Sequence, residues 1–186
     1  HELNFWVVGG DMRQAKLAEQ LSDDGHTVHT YALDRAPEPV PDPQDSLEDA
    51  VLADCVILPL PAAGEGGMLN APMSGRETAL EEVMDALRPG QVVCAGRVTP
   101  ELEALAERYE LRLYDYFARE ELAVANAVPT AEGAVQIAME ELPITLHRAR
   151  VLVLGFGRLG KLAAHRFAAL GAKVSVAARK WADLAW

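Results

Sequence analysis

Two hydrophobic rhythms alternate along the chain. Short apolar runs, several rich in β-branched residues, predict strands at Asn4–Val8, Thr27–Ala32, Cys55–Leu58, Val92–Ala95, Leu111–Tyr114, Arg150–Leu154 and Lys173–Ala177. Between them, apolar residues recur three and four positions apart, as Leu80, Val83, Met84 and Leu87 do. This spacing predicts helices over Met12–Ser22, Arg76–Leu87, Pro100–Tyr109, Thr130–Glu141 and Arg158–Leu170. Strands apolar on both sides of the pleat suit a parallel sheet covered by helices. Asp11 and Thr99 are placed to cap the first and third helices, and Pro100 suits a first helical turn. The run APEPVPDP, Ala36–Pro43, cannot be helical and is expected to be a surface connection.

The expected architecture is therefore α/β. A flavodoxin- or Rossmann-like N-terminal domain with a five-stranded parallel sheet spans residues 2–125. An inter-domain helix and hinge follows over 126–147, and the first βαβ unit of a Rossmann domain over 148–186. A complete fold of the second kind has about six strands. Only two are present after residue 148, so a truncated nucleotide-binding domain, inactive by itself, is the expectation.

The chemistry concentrates in loops that follow strands. Gly155-Phe156-Gly157-Arg158-Leu159-Gly160 leaves a strand and opens a helix, the context in which this glycine spacing binds a dinucleotide pyrophosphate. A tight turn without ligand is the plainer alternative. At the end of the next strand, where an acid would hold the adenosine ribose of NAD, stand Ala178, Arg179 and Lys180. With no carboxylate in that slot and two cations beside it, the cofactor expected is NADP.

The first strand ends in VVGGDMRQ, which lacks the third glycine and puts Asp11 where a phosphate would need a donor. It is read as a substrate site, with Arg13 suited to a carboxylate and Gln14 beside it; an ordinary exposed first-turn arginine is the alternative. Glu65 in the loop LPLPAAGEGG and Arg97 after the fourth strand lie on the same expected edge. In the hinge, Asn126, Thr130 and Glu132 are candidate cleft residues, although Thr130 and Glu132 equally suit a helix start. Asp11 and Glu132 are the acid/base candidates.

Composition narrows the classes. The 186 residues carry a net charge of −11, which argues against nucleic acid and anionic membrane surfaces. No apolar run reaches the ~20 residues of a membrane span. Cys55 and Cys94 lie singly in apolar runs, as free thiols do in a reducing cytoplasm, and no metal-binding spacing occurs.

VVGGDMRQ, ILPLPAAGEGG, ANAVPTAEGAVQIAME and VLGFGRLGKLAAHRFAALGAKVSVAAR, in this order, resemble the A subunits of dipicolinate synthases over essentially the whole chain. The resemblance implies an NADP-dependent oxidoreductase component. Its reaction forms dipicolinate (pyridine-2,6-dicarboxylate) from a dihydrodipicolinate-type precursor of the lysine pathway during sporulation. It further implies a flavoprotein-like B subunit as partner; the protein itself is expected to be cytoplasmic and a homo-oligomer. Two alternatives share these features: a D-2-hydroxyacid dehydrogenase-like oxidoreductase, and a non-catalytic assembly module that binds a partner protein.

Overall fold

A computed structural model describes residues 1–185; Trp186, the last residue of the expected 148–186 unit, lies outside them. The chain divides into two compact units, His1–Ala118 and a second beginning at Arg119.

The first unit is built on a parallel sheet. Its strands are β1 (Asn4–Val8), β2 (Thr27–Tyr31), β3 (Pro43–Gln44), β4 (Cys55–Ile57), β5 (Val92–Ala95) and β6 (Arg112–Asp115), in the order β3-β2-β1-β4-β5-β6. The sheet has six strands where the sequence predicted five. The added one is the two-residue edge strand Pro43–Gln44, inside and just beyond the proline-rich run. Proline lacks the N–H a central strand donates, so an edge position is where a sheet tolerates it. Thr30 donates its hydroxyl to the Pro41 carbonyl at 2.8 Å and holds that run against β2.

The alternation of side chains places two cores. Trp6, Val8, Val56, Leu58, Val93 and Ala95 face α2 (Leu80–Asp85) and α3 (Pro100–Arg108) through Leu80, Val83, Met84 and Leu102. Val7, Val28 and Ile57 face α1 (Met12–Asp23) through Ala18. The α2 helix is shorter than the predicted Arg76–Leu87. Its first residues are extended, with Thr78 buried and Ala79 bridged to Met68.

The second unit contains α4 (Glu120–Glu141), β7 (Arg150–Leu154), α5 (Arg158–Ala169), β8 (Lys173–Ala177) and the short α6 (Trp181–Leu184). Parallel β7 and β8 pair Val151 with Val174 and Val153 with Val176. Ala131, Leu146, Ala163 and Phe167 form its core, joined by Val135, Val151 and Val174. The opposite sheet face is open, with Leu152 62% and Leu154 79% exposed. The α4 helix corrects the expected start at Thr130: it begins ten residues earlier and carries Pro129 inside it. Thr130 is therefore not a cap. Its hydroxyl donates to the Asn126 carbonyl at 2.7 Å, one turn back within the helix.

Candidate functional sites

In the first unit, the order of strands reverses direction between β1 and β4. Open parallel sheets bind ligands at such a switch point, beyond the carboxyl ends of the strands. Gly9 and Gly10 leave β1 there with φ of 69° and 95°, and a Cβ on Gly10 would stand 2.3 Å from Gln14 Cγ. Only glycine lets β1 turn so sharply into α1.

The turn delivers Asp11 as the cap of α1, accepting the Arg13 amide at 3.0 Å. The same carboxylate holds the Arg13 guanidinium in a fork, Nε–Oδ1 3.0 Å and Nη2–Oδ2 2.9 Å. Nη2 also donates to the Leu60 carbonyl at 3.0 Å, so the arginine spans from β1 to the exit of β4. The fork lowers the Asp11 pKa below the ordinary carboxylate value, chiefly through the side-chain hydrogen bond from Arg13. That makes Asp11 a weak base and a strong orienting partner. Gln14 is 5% exposed and donates its amide to the Ile57 carbonyl at 3.3 Å, bracing β4 from beneath the site.

Arg97 follows β5 in a left-handed conformation, φ 58°, and is exposed. Its loop is held by Asp115 at the end of β6, a residue the sequence did not single out. That carboxylate accepts the amides of Arg97 at 3.2 Å, Val98 at 3.0 Å and Phe117 at 2.8 Å. An acid just past an apolar strand was the available signal, but its non-local partners are not encoded by spacing. Tyr116 was also missed. It is half-buried, its hydroxyl donates to the Leu58 carbonyl at 2.9 Å, and burial pushes its pKa up to about 12. Glu65 lies on an exposed helical turn, Glu65–Gly67, in the loop after β4.

The second unit carries the other candidates. Gly155 leaves β7 with φ 98°, and a Cβ on Gly160 would meet the Gly155 carbonyl oxygen at 2.1 Å. Gly157, which precedes α5, has nothing within 4 Å of its would-be Cβ. The backbone is therefore tight where loop meets helix and open where a pyrophosphate would approach. Gly155, Phe156 and Gly157 line one open cavity of about 570 Å³ together with Ala178, Arg179, Lys180 and Asp183. Asp183 is an addition to the sequence reading: the strand end lacks an acid, but α6 brings one to the same cavity. Arg158 points its guanidinium at Glu120, with Nε–Oε1 at 2.7 Å. Leu159 is partly exposed in the first turn of α5. On α4, Glu132 pairs with Arg166 at 3.1 Å, and Asn126 accepts the Thr130 hydroxyl.

Among the described residues, no cluster of three or more His, Cys, Asp or Glu is placed to hold a metal ion. No helix among them is long and apolar enough to cross a membrane.

Residues 4–117 match a family described as the N-terminal domain of the dipicolinate synthase A subunit. The A subunit of dipicolinate synthase from Bacillus subtilis (strain 168) is 31% identical over 187 residues, which cover 98% of this chain and 63% of that protein. The crystal structure of the dipicolinate synthase A subunit from Bacillus halodurans superposes with a TM-score of 0.85 at 31% identity, covering 98% of this chain and 64% of that one. The crystal structure of the Bacillus subtilis protein gives 0.80 at 30% identity, covering 100% and 63%. The chain thus spans just under two thirds of the length of these relatives.

Proposed function

Because the chain belongs to the family of dipicolinate synthase A subunits, we propose that it serves an NADP-dependent oxidoreductase. That enzyme forms dipicolinate from a dihydrodipicolinate-type precursor of the lysine pathway during sporulation, in the cytoplasm, as a homo-oligomer working with a flavoprotein-like B subunit. The observation that carries the cofactor reading is the cavity lined by the glycine loop and by Ala178, Arg179 and Lys180, two cations against the one acid, Asp183. The backbone amides of the loop would hold the pyrophosphate at the start of α5, and Arg179 with Lys180 the 2′-phosphate. When bound, the nicotinamide supplies the hydride acceptor that converting a dihydro ring into a pyridine requires.

The chain's own residues bind and orient. Arg13, held in plane by Asp11, is the clamp for one substrate carboxylate. Binding would exchange its bond to the Leu60 carbonyl for one to the ligand while Asp11 keeps the guanidinium aimed. Arg97 is the second clamp, on a loop fixed by Asp115. Asp11 and Glu132 are the acid/base candidates; each is paired with an arginine, Arg13 and Arg166, and the lowered pKa of Asp11 makes that carboxylate a poor base. Gln14 supports the strand beneath and Glu65 lies in the loop after β4; Asn126 and Thr130 are the substrate-contact candidates of the second unit.

The test uses the full-length protein with its B subunit, followed by nicotinamide absorbance. NADPH should bind more tightly than NADH. Arg179→Ala should narrow the difference by about tenfold, the equivalent of ~1.4 kcal/mol for a partly exposed charge pair. Equal affinities in the unmutated protein would sink the assignment.

A further inference from the structure

Cys55 and Cys94 are not isolated thiols. They sit on adjacent strands β4 and β5, where Cys55 lies opposite Val92 and Cys94 opposite Ile57. Positions two apart on a strand share a face, so the two sulfurs meet diagonally on one side of the sheet, 3.7 Å apart. Both residues are half-buried. The Cys55 S–H donates to the Cys94 sulfur.

We propose that Cys55 and Cys94 form a reversibly oxidisable dithiol, with Cys94 the reacting sulfur and Cys55 the resolving one. The oxidant class is a hydroperoxide. The Cys94 thiolate attacks the terminal peroxide oxygen; the S–O bond forms as the O–O bond breaks, the other oxygen leaves as alkoxide (hydroxide from hydrogen peroxide) and takes a proton from water, and Cys94 becomes a sulfenic acid. The Cys55 sulfur then attacks Cys94; the S–S bond forms and hydroxide leaves, taking the Cys55 proton as water. Two thiols are oxidised, one peroxide is reduced, and a dithiol reductant reverses the change. The division of labour follows the hydrogen bond: donated by Cys55 to the Cys94 sulfur, it lowers the Cys94 pKa and, with burial, raises that of Cys55, which favours Cys94 as the attacking thiolate.

The sheet sets the consequence. Parallel strands about 4.8 Å apart that rise about 3.3 Å per residue put the Cα atoms of a two-residue diagonal about 8 Å apart, beyond the roughly 4.4–6.8 Å that an unstrained disulfide spans. Closing the bond must draw β4 and β5 together or slide one along the other. Such a bond is easily reduced, as regulatory disulfides are. The carboxyl ends of the same strands carry the Leu60 carbonyl that holds Arg13 and the Gly96–Arg97 turn. Oxidation would thus disturb the first-unit site from below, whatever ligand that site takes.

Treating the intact chain with hydrogen peroxide and mapping non-reduced peptides should yield a peptide linking residues 55 and 94 that dithiothreitol releases. Cys55→Ser should halt at a dimedone-trapped sulfenic acid on Cys94, and Cys94→Ser should leave Cys55 unreacted. In the unmutated chain, limiting iodoacetamide at pH 7 should label Cys94 over Cys55 by at least roughly tenfold. Hydrogen exchange should rise on oxidation in the segments after β4 and β5. Absence of the linked peptide, or equal labelling of the two sulfurs, would overturn the proposal; neither outcome bears on the cofactor reading.

Discussion

Two glycines on helices of the second unit should respond oppositely to the same substitution. At Gly160, the added methyl would stand 2.1 Å from the Gly155 carbonyl oxygen, against an ordinary contact of 3.4 Å or more. The obstacle is backbone, so no rotamer change relieves it. Either α5 lifts from β7 or the loop at Gly155 opens, and neither can move freely because Gly155 donates its amide to the Ala177 carbonyl at 2.8 Å. Overpacking of this kind costs about 1–3 kcal/mol, offset by up to ~1 kcal/mol of helix propensity. Gly160→Ala should therefore destabilise the unit by about 1–2 kcal/mol. At Gly133, inside α4, nothing lies within 4 Å of the same added atom. There the propensity gain stands alone, and Gly133→Ala should stabilise by about 0.5–1 kcal/mol. Hydrogen exchange of β7 and α5 amides in the intact chain reads this unit separately from the first. Exchange should quicken roughly tenfold in Gly160→Ala and slow about two- to fivefold in Gly133→Ala. Amides in Gly160→Ala that exchange no faster than in the parent would refute the packing argument.

Arg13→Ala in the full-length enzyme should raise the substrate KM or lower kcat at least tenfold, by order of magnitude for a lost charge-assisted clamp, and leave NADPH binding unchanged in a direct titration. The folded pKa of Asp11 lies below its unfolded value, so its stabilisation is fully present above the ordinary carboxylate range and is lost as pH falls through the folded pKa. Side-chain exposure holds that contribution to about 1 kcal/mol or less, and comparing acid unfolding of Asp11→Asn with the parent should show it vanish. Tyr116→Phe leaves the Leu58 carbonyl without its donor and should lower stability by about 1 kcal/mol in urea unfolding.

The strands were the most legible part of the fold. β1, β5, β7 and β8 fall on their predicted limits because each is a compact apolar run between turn residues. The Pro43–Gln44 edge strand was illegible, since proline reads as a strand breaker and its pairing depends on β2 in space. The α4 helix was half legible. Pro129 resembles a first helical turn, yet here the helix runs through it from Glu120. In the sites, local motifs were readable and cross-chain bonds were not. The glycine loop and Ala178–Lys180 do share a cavity, but Asp183 arrives on a short helix without strong periodicity. Arg13 was visible as a candidate and its fork to Asp11 is local, two residues apart, whereas its bond to the Leu60 carbonyl depends on the positions of β1 and β4 together.

The grip of Asp115 has a consequence for how the first unit could diversify. Its carboxylate holds the loop after β5 and the turn after β6 only through backbone N–H groups, at positions 97, 98 and 117. Every amino acid except proline brings that group, so the path of the loop is insulated from the identity of the side chains mounted on it. Position 97 carries one further demand, a positive φ, which asparagine and glycine meet most readily. Replacing Arg97 by asparagine would remove the charge while keeping the mount, whereas replacing Asp115 would unfasten three amides at once. A lineage altering what this edge recognises could therefore vary position 97 among residues that accept a positive φ, with Asp115 as the hinge pin it must keep.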